Sequence, residues 1–86
     1  MDYYKIKFKN SVEKDIRKIP KKYISQIVKK IKLLSSNPYG KSVTKLVGTE
    51  HTFRMRVGNY RIIYQINEDE KQIIVYYIRH RKDAYK

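Results

Sequence analysis

Two short alternating runs separated by Gly58-Asn59 constrain this chain more than any other feature. Thr52 to Val57 reads Thr-Phe-Arg-Met-Arg-Val, and Tyr60 to Ile66 reads Tyr-Arg-Ile-Ile-Tyr-Gln-Ile. Period-two alternation is the mark of a strand with two unlike faces. A two-residue loop with glycine where positive φ is needed makes the pair a hairpin and fixes its register. Val57 then faces Tyr60, Arg56 faces Arg61, Met55 faces Ile62, Arg54 faces Ile63, and Phe53 faces Tyr64. One face is wholly apolar or aromatic and needs helices over it. The other gathers Arg54, Arg56 and Arg61, with two arginines directly opposite. Like charges so placed destabilise a sheet. Either the register is different, or both guanidinium groups splay into water, or something anionic sits there.

The remaining elements follow from periodicity. Residues 3–9 alternate, with Tyr4, Ile6 and Phe8 against Lys5, Lys7 and Lys9, a strand with one wet face. Asn10 reads as a helix N-cap and Glu13 as its capping-box acid. Val12, Ile16 and Ile19 form the stripe of a helix over about 11–19. Pro20 ends it and suits the first turn of a second helix. Tyr23, Ile24, Ile27, Val28, Ile31 and Leu34 carry that helix to the stop at Ser35-Ser36-Asn37-Pro38. Residues 37–51 read as a long loop anchored by Leu46 and Val47. After the acidic turn Glu68-Asp69-Glu70, the apolar run Gln72 to Ile78 reads as a central strand, both faces at least partly covered. Its longer turn leaves its register open. The expected fold is α+β. An N-terminal strand and an antiparallel two-helix hairpin precede a three-stranded meander, giving a mainly antiparallel four-stranded sheet. A short C-terminal tail or helix closes one domain over 1–86.

Charge and composition narrow the function. The chain has 86 residues, 21 Lys+Arg against 8 Asp+Glu and a formal net charge of +13. Such a charge attracts polyanions: nucleic acid, an acidic protein or an anionic membrane surface. With no cysteine, a disulfide framework, a thiolate zinc site and a Cys nucleophile are excluded. No apolar run approaches the roughly 20 residues of a membrane span, and the N-terminus does not read as a signal peptide. The expectation is a small, soluble, cytoplasmic protein. Twelve of fifteen lysines precede residue 46, whereas five of six arginines follow residue 53. Guanidinium grips phosphate with a rigid bidentate fork and ammonium does not. Lys21, Lys22, Lys29, Lys30 and Lys32 lie mostly off the second helix's apolar stripe. They form an RNA-backbone contact or a solvated face.

The string Phe53-Arg54-Met55-Arg56-Val57-Gly58-Asn59-Tyr60-Arg61-Ile62-Ile63-Tyr64, followed by His80-Arg81-Lys82-Asp83-Ala84-Tyr85, resembles the RelE branch of the RelE/ParE toxin superfamily. The order of elements is similar over essentially the whole chain. The resemblance implies a toxin of a type II toxin–antitoxin pair that enters the ribosomal A site and cuts mRNA there. It implies metal-independent cleavage without a cofactor, by attack of the 2′-OH on the adjacent phosphate. The implied partners are the ribosome, mRNA and a cognate acidic, RelB-like antitoxin, with no membrane. Arg54 and Arg56 match the family's basic strand pair, Arg61 and Arg81 its phosphate-binding arginines, and Tyr85 its terminal tyrosine. The strand pair is often lysine in the family. Arginine holds its proton too tightly to act as base, which leaves His80, Tyr85 and, more remotely, His51 as candidates for proton transfer. Two other readings remain: a toxin of this fold acting on DNA gyrase, and a non-catalytic basic RNA-binding module.

Overall fold

The fold is described from a computed structural model in which residues 3–40, 43–46, 48 and 51–80 are placed. Its elements are β1 (Lys5–Phe8), α1 (Asn10–Arg17), α2 (Lys21–Leu34), β2 (Val43–Lys45), β3 (Thr52–Val57), β4 (Tyr60–Asn67) and β5 (Gln72–His80). The five strands form one sheet in the order β1-β5-β4-β3-β2. β1 is parallel to β5, and the other pairings are antiparallel. The β3–β4 register is the one the two-residue loop dictates, from Val57↔Tyr60 to Phe53↔Tyr64. Gly58 takes φ 59, the left-handed conformation that this turn requires.

The core lies between the helices and one sheet face. Val12, Ile19, Ile27, Ile31 and Leu34 meet Met55, Ile62, Tyr64, Ile73, Val75 and Ile78, all buried. Val28 of the expected α2 stripe is instead exposed at 38%. The expected four-stranded sheet has a fifth member. Val43–Lys45, read as loop, pairs with β3 through Val43↔Met55, Thr44↔Arg54 and Lys45↔Phe53. Three residues are too few for alternation to show, and the β-branched pair Val43-Thr44 is all that marks the strand. The Leu46 N–H donates to the Thr52 carbonyl (2.9 Å). Val47 and the expected C-terminal tail or helix lie outside the described residues.

Both helix starts differ from expectation by one position. Lys9, not Asn10, occupies the α1 N-cap, without a side-chain cap. Its N–H donates to the Val75 carbonyl (2.9 Å) and its carbonyl accepts from Val12 (2.9 Å), so the strand itself launches the helix. Pro20 stands at the α2 N-cap with extended backbone rather than inside the first turn.

α1 covers an exposed edge. The β1–β5 pairing ends at Phe8↔Val75. Beyond it α1 takes over: Ser11 Oγ donates to the Tyr76 carbonyl (2.6 Å), and the Ile78 N–H donates to Asp15 Oδ2 (3.0 Å). Ser11 and Asp15 share a helix face at i, i+4, and together they serve as a substitute strand for β5.

The opposite end of the sheet is closed around Glu68. Its carboxylate accepts from Tyr4 (2.8 Å), from Tyr39 and from Lys71 Nζ (3.3 Å). Tyr39 packs edge-on against Phe53, which stacks on Tyr64, whose hydroxyl donates to the Pro38 carbonyl (2.7 Å). The start of the expected long loop is thus pinned. The Tyr39 and Tyr4 hydrogen bonds hold the Glu68 pKa below its ordinary value. Burial, then the bond to Glu68, pushes Tyr39 up to about 12, and burial raises Tyr64. A depressed carboxyl contributes stability above its unfolded pKa and loses it as pH falls through the folded value. A raised phenol contributes stability below its unfolded pKa and loses it as pH rises through the folded value. Thermal melts should therefore show the melting temperature falling below about pH 4 and above about pH 10, the ordinary carboxyl and phenol values. Glu68→Gln should flatten the acid limb, and Tyr39→Phe should weaken the alkaline loss.

Candidate nucleic-acid interface

The sheet face opposite the core carries the arginines. Arg56 pairs with Arg61, and Arg61 pairs in turn with Arg79. Three arginines therefore stand side by side across β3, β4 and β5. Arg61, on the middle strand of the sheet, is only 7% exposed. Arg54 lies one step along the same face, opposite Ile63.

Arg79 reaches this row because β5 contains a bulge. From the turn, Asn67 pairs with Gln72 and the ladder runs regularly to Tyr64↔Val75. Tyr76 then has no opposite residue, and Ile63 pairs with Tyr77. Without that extra residue Ile78 would stand opposite Arg61, and Arg79 would turn toward the helices. With it, Ile78 enters the core at 3% exposure and Arg79 points outward. A bulge flips the strand's alternation in this way, and bulges are over-represented beside functional sites. Both Tyr76 and Tyr77 come to the arginine face. Tyr76 donates to Gln65 Oε1 (2.9 Å), and Gln65 bonds Thr52 (3.3 Å). Tyr77 lies under the Arg79 guanidinium, 5.1 Å from its ring centroid.

A carboxylate approaches the row at the Arg79 end. Asp15 Oδ1 is 3.8 Å from Arg79 Nη1, its other oxygen being held by the Ile78 N–H. It offsets part of the charge at that end, and Arg56 pairs with Arg61 across β3 and β4. Arg56→Thr should raise stability by about 0.2–1 kcal/mol, the range of one cross-strand pair. The expected result is a small rise in melting temperature with weaker RNA binding, read by thermal melt and by RNA titration.

The structure does not bring His80, His51 or the α2 lysines to this row. His80 stands opposite Tyr60, on the helix side of the sheet, with its ring 5.2 Å from the Tyr60 ring. His51 precedes β3 and is exposed, five residues of strand or roughly 17 Å from Arg56. Arg81 and Tyr85 lie outside the described residues. Lys21, Lys22, Lys29, Lys30 and Lys32 are all exposed on α2, the helix that covers the opposite face of the sheet. The molecule therefore has two basic surfaces back to back. Among the described residues no group of three or more His, Cys, Asp or Glu is placed to hold a metal ion.

Sequence reasoning missed Arg79, Tyr76, Tyr77 and Asp15. The one signal for the first three was spacing. Ile73, Val75 and Ile78 do not fit a single alternating face, and a bulge is the simplest way to bury all three.

The fold and the motif meet in the comparisons. A family model described as ParE toxin of type II toxin-antitoxin system, parDE, matches residues 6–85. Toxin RelE3 of Methanocaldococcus jannaschii is 34% identical over 89 residues, covering 94% of each chain. Toxin RelG of Mycobacterium tuberculosis is 29% identical over 87 residues, covering 96% of this chain and 97% of its own. A chain of the archaeal RelE-RelB complex from Pyrococcus horikoshii OT3 superposes with a TM-score of 0.81 at 29% identity, over 94% of this chain and 97% of that one. A helix-backed five-stranded sheet, an arginine row on the face away from the helices and a family match spanning nearly all of the sequence have one common reading: this chain belongs to the RelE/ParE superfamily and is a toxin of a type II toxin–antitoxin system.

Proposed function

We propose that this toxin is a ribosome-dependent endoribonuclease that cuts mRNA in the A site and so stops translation. The observation that carries the reading is the row Arg56–Arg61–Arg79, with Arg54 beside it, on the sheet face turned away from the helices. A sequence selected for stability alone would not keep three like charges in register. Facing a phosphate, the same row becomes favourable.

In the proposed reaction the 2′-oxygen attacks the adjacent phosphorus. A 2′-O–P bond forms and the P–O5′ bond breaks, leaving a 2′,3′-cyclic phosphate and a 5′-hydroxyl. Charge accumulates on the phosphorane oxygens, and fixed guanidinium groups stabilise it more than they stabilise the ground state. Arg61 and Arg56 supply that charge, with Arg54 positioning the strand and Arg81 added by the family resemblance. The 2′-OH must lose a proton and the 5′-oxygen must gain one. His80 faces the helix side, so the reading gives the proton acceptor to Tyr85, whose phenol a cluster of arginines would acidify. The pH–rate profile tests this: Tyr85→Phe should remove the basic dependence, and His80→Gln should leave it.

The α2 lysines would meet ribosomal RNA backbone, each neutralised phosphate adding roughly 0.7–0.9 to the salt slope. The antitoxin should be acidic, to complement a charge of +13. Support for such a partner is that similar chains were solved as RelE-RelB complexes. Ribosome and mRNA together make the cytoplasm its place of action, and among the described residues no helix is long and apolar enough to cross a membrane. The mechanism is tested with an mRNA carrying one 2′-deoxynucleotide at the scissile position in a purified translation system. Loss of cleavage at that site alone is expected, and continued cleavage there would exclude 2′-OH attack. The family model's ParE description favours a second reading, inhibition of DNA gyrase. It predicts blocked supercoiling with mRNA left intact.

A further inference from the structure

The arginine face carries more than positive charge. Two large aromatic rings stand on it, at positions where a regular strand would have put only one. The extra residue in β5 sends Tyr76 and Tyr77 to the same side. Each ring has a cation across it: Lys9 Nζ lies 5.3 Å from the Tyr76 centroid, and Arg79 Cζ lies 5.1 Å from that of Tyr77. Tyr76 is fixed through its hydroxyl to Gln65 (2.9 Å) and is half-buried. Tyr77 is 39% exposed, opposite Ile63 on the sheet face turned away from α1 and α2.

An exposed aromatic ring on a cationic sheet face is poorly explained by stability. Its ring stays 39% exposed, and its neighbour Arg79 already has a carboxylate at 3.8 Å. The arrangement suits a base. Bases stack on aromatic rings whatever their identity, and arginine adds a cation–π contribution. Spacing agrees as well. Tyr77 is two residues along β5 from the arginine row, about 7 Å, a separation of the order of one nucleotide step in extended RNA.

We propose that Tyr77, backed by Arg79 and steadied by Tyr76, is a stacking platform for the nucleobase next to the phosphate held by Arg56 and Arg61. The inference rests on the RNA-directed reading above and names a contact within it. The β5 bulge is the device that builds the platform. It turns Tyr77 and Arg79 outward in the same stroke that buries Ile78. Tyr77 is here a substrate-positioning residue and takes no part in proton transfer.

The test is a fluorescence-anisotropy titration of the full chain with a short single-stranded RNA made uncleavable by 2′-O-methyl groups, beside the same RNA with one abasic position. Tyr77→Ala should weaken binding to the intact RNA by about 5- to 100-fold, the usual range for one stacked base. Tyr77→Phe should bind as the parent does. The abasic RNA should bind the parent more weakly but should cost Tyr77→Ala little further, because the partner of the missing base is already gone. The salt slope should be the same for parent and variant, since no phosphate contact changes. Tyr77→Ala binding within twofold of the parent would overturn the platform. So would equal losses in Tyr77→Phe and Tyr77→Ala, or a parent without measurable affinity for RNA. Ribosome-dependent cleavage is scored separately. Cleavage with no Tyr77 effect retains the nuclease reading and discards the platform, whereas a Tyr77 effect without cleavage does the reverse.

Discussion

Replacing Arg61 with alanine is expected to lower the single-turnover rate of mRNA cleavage by about 10²–10³-fold, the usual loss on removing one fixed group that stabilises an oxyanion. Arg61 sits on the middle strand of the sheet, 7% exposed, with Arg56 on one side and Arg79 on the other. Such a group is held in place before the reaction begins and needs little reorganisation when charge develops. Its removal also relieves like-charge contact with Arg56 and Arg79. The rate should therefore be read per folded molecule, and it should collapse whatever the change in melting temperature. Arg61→Lys should recover only part of the rate, because ammonium keeps the charge but loses the bidentate fork. In cells, Arg61→Ala should relieve growth arrest. A rate within twofold of the parent would remove Arg61 from the phosphate site.

Asp15→Ala should produce the opposite pattern, a large loss of stability. Asp15 is 6% exposed, and one of its oxygens accepts the Ile78 N–H beyond the point where β1 stops pairing. Alanine leaves that buried N–H without its acceptor, at a cost of about 1–3 kcal/mol. For a domain of this size each kcal/mol moves the melting temperature by roughly 4–8 °C. Asp15→Asn keeps a side-chain oxygen in place and should recover much of the loss. The same change frees the Arg79 guanidinium from its nearby carboxylate, so RNA affinity per folded molecule should hold or rise. A melting temperature within about 2 °C of the parent would mean that α1 does not act as the substitute strand.

These two residues also show what the sequence makes legible. Arg61 can be placed from the sequence alone, because a two-residue loop and period-two alternation leave one register for β3 and β4. The pairing of Arg56 with Arg61 follows from counting. Arg79 cannot be placed that way. Four residues separate β4 from β5, and a turn of that length tolerates several registers. The bulge at Tyr76 then reverses the alternation halfway along the strand. Tyr76 and Tyr77 are hidden by the same step and read as part of a buried apolar run. Asp15 lies in a helix rich in polar residues and reads as one more solvated charge. Its role depends on where β1 ends, a tertiary fact. β2 is too short to carry a period. His80 is legible as a titrating group near the motif but not as a residue of the other face, since its side depends on the bulge. Arg81 and Tyr85 enter only through the motif that contains them.

Primer extension on a defined mRNA is the decisive measurement of ribosome-dependent cleavage. The mRNA is translated in a purified system with the toxin added, beside the same mRNA with toxin and no ribosomes. Cuts inside A-site codons are expected only when ribosomes are present. Intact mRNA with translation running normally would exclude the proposed nuclease activity.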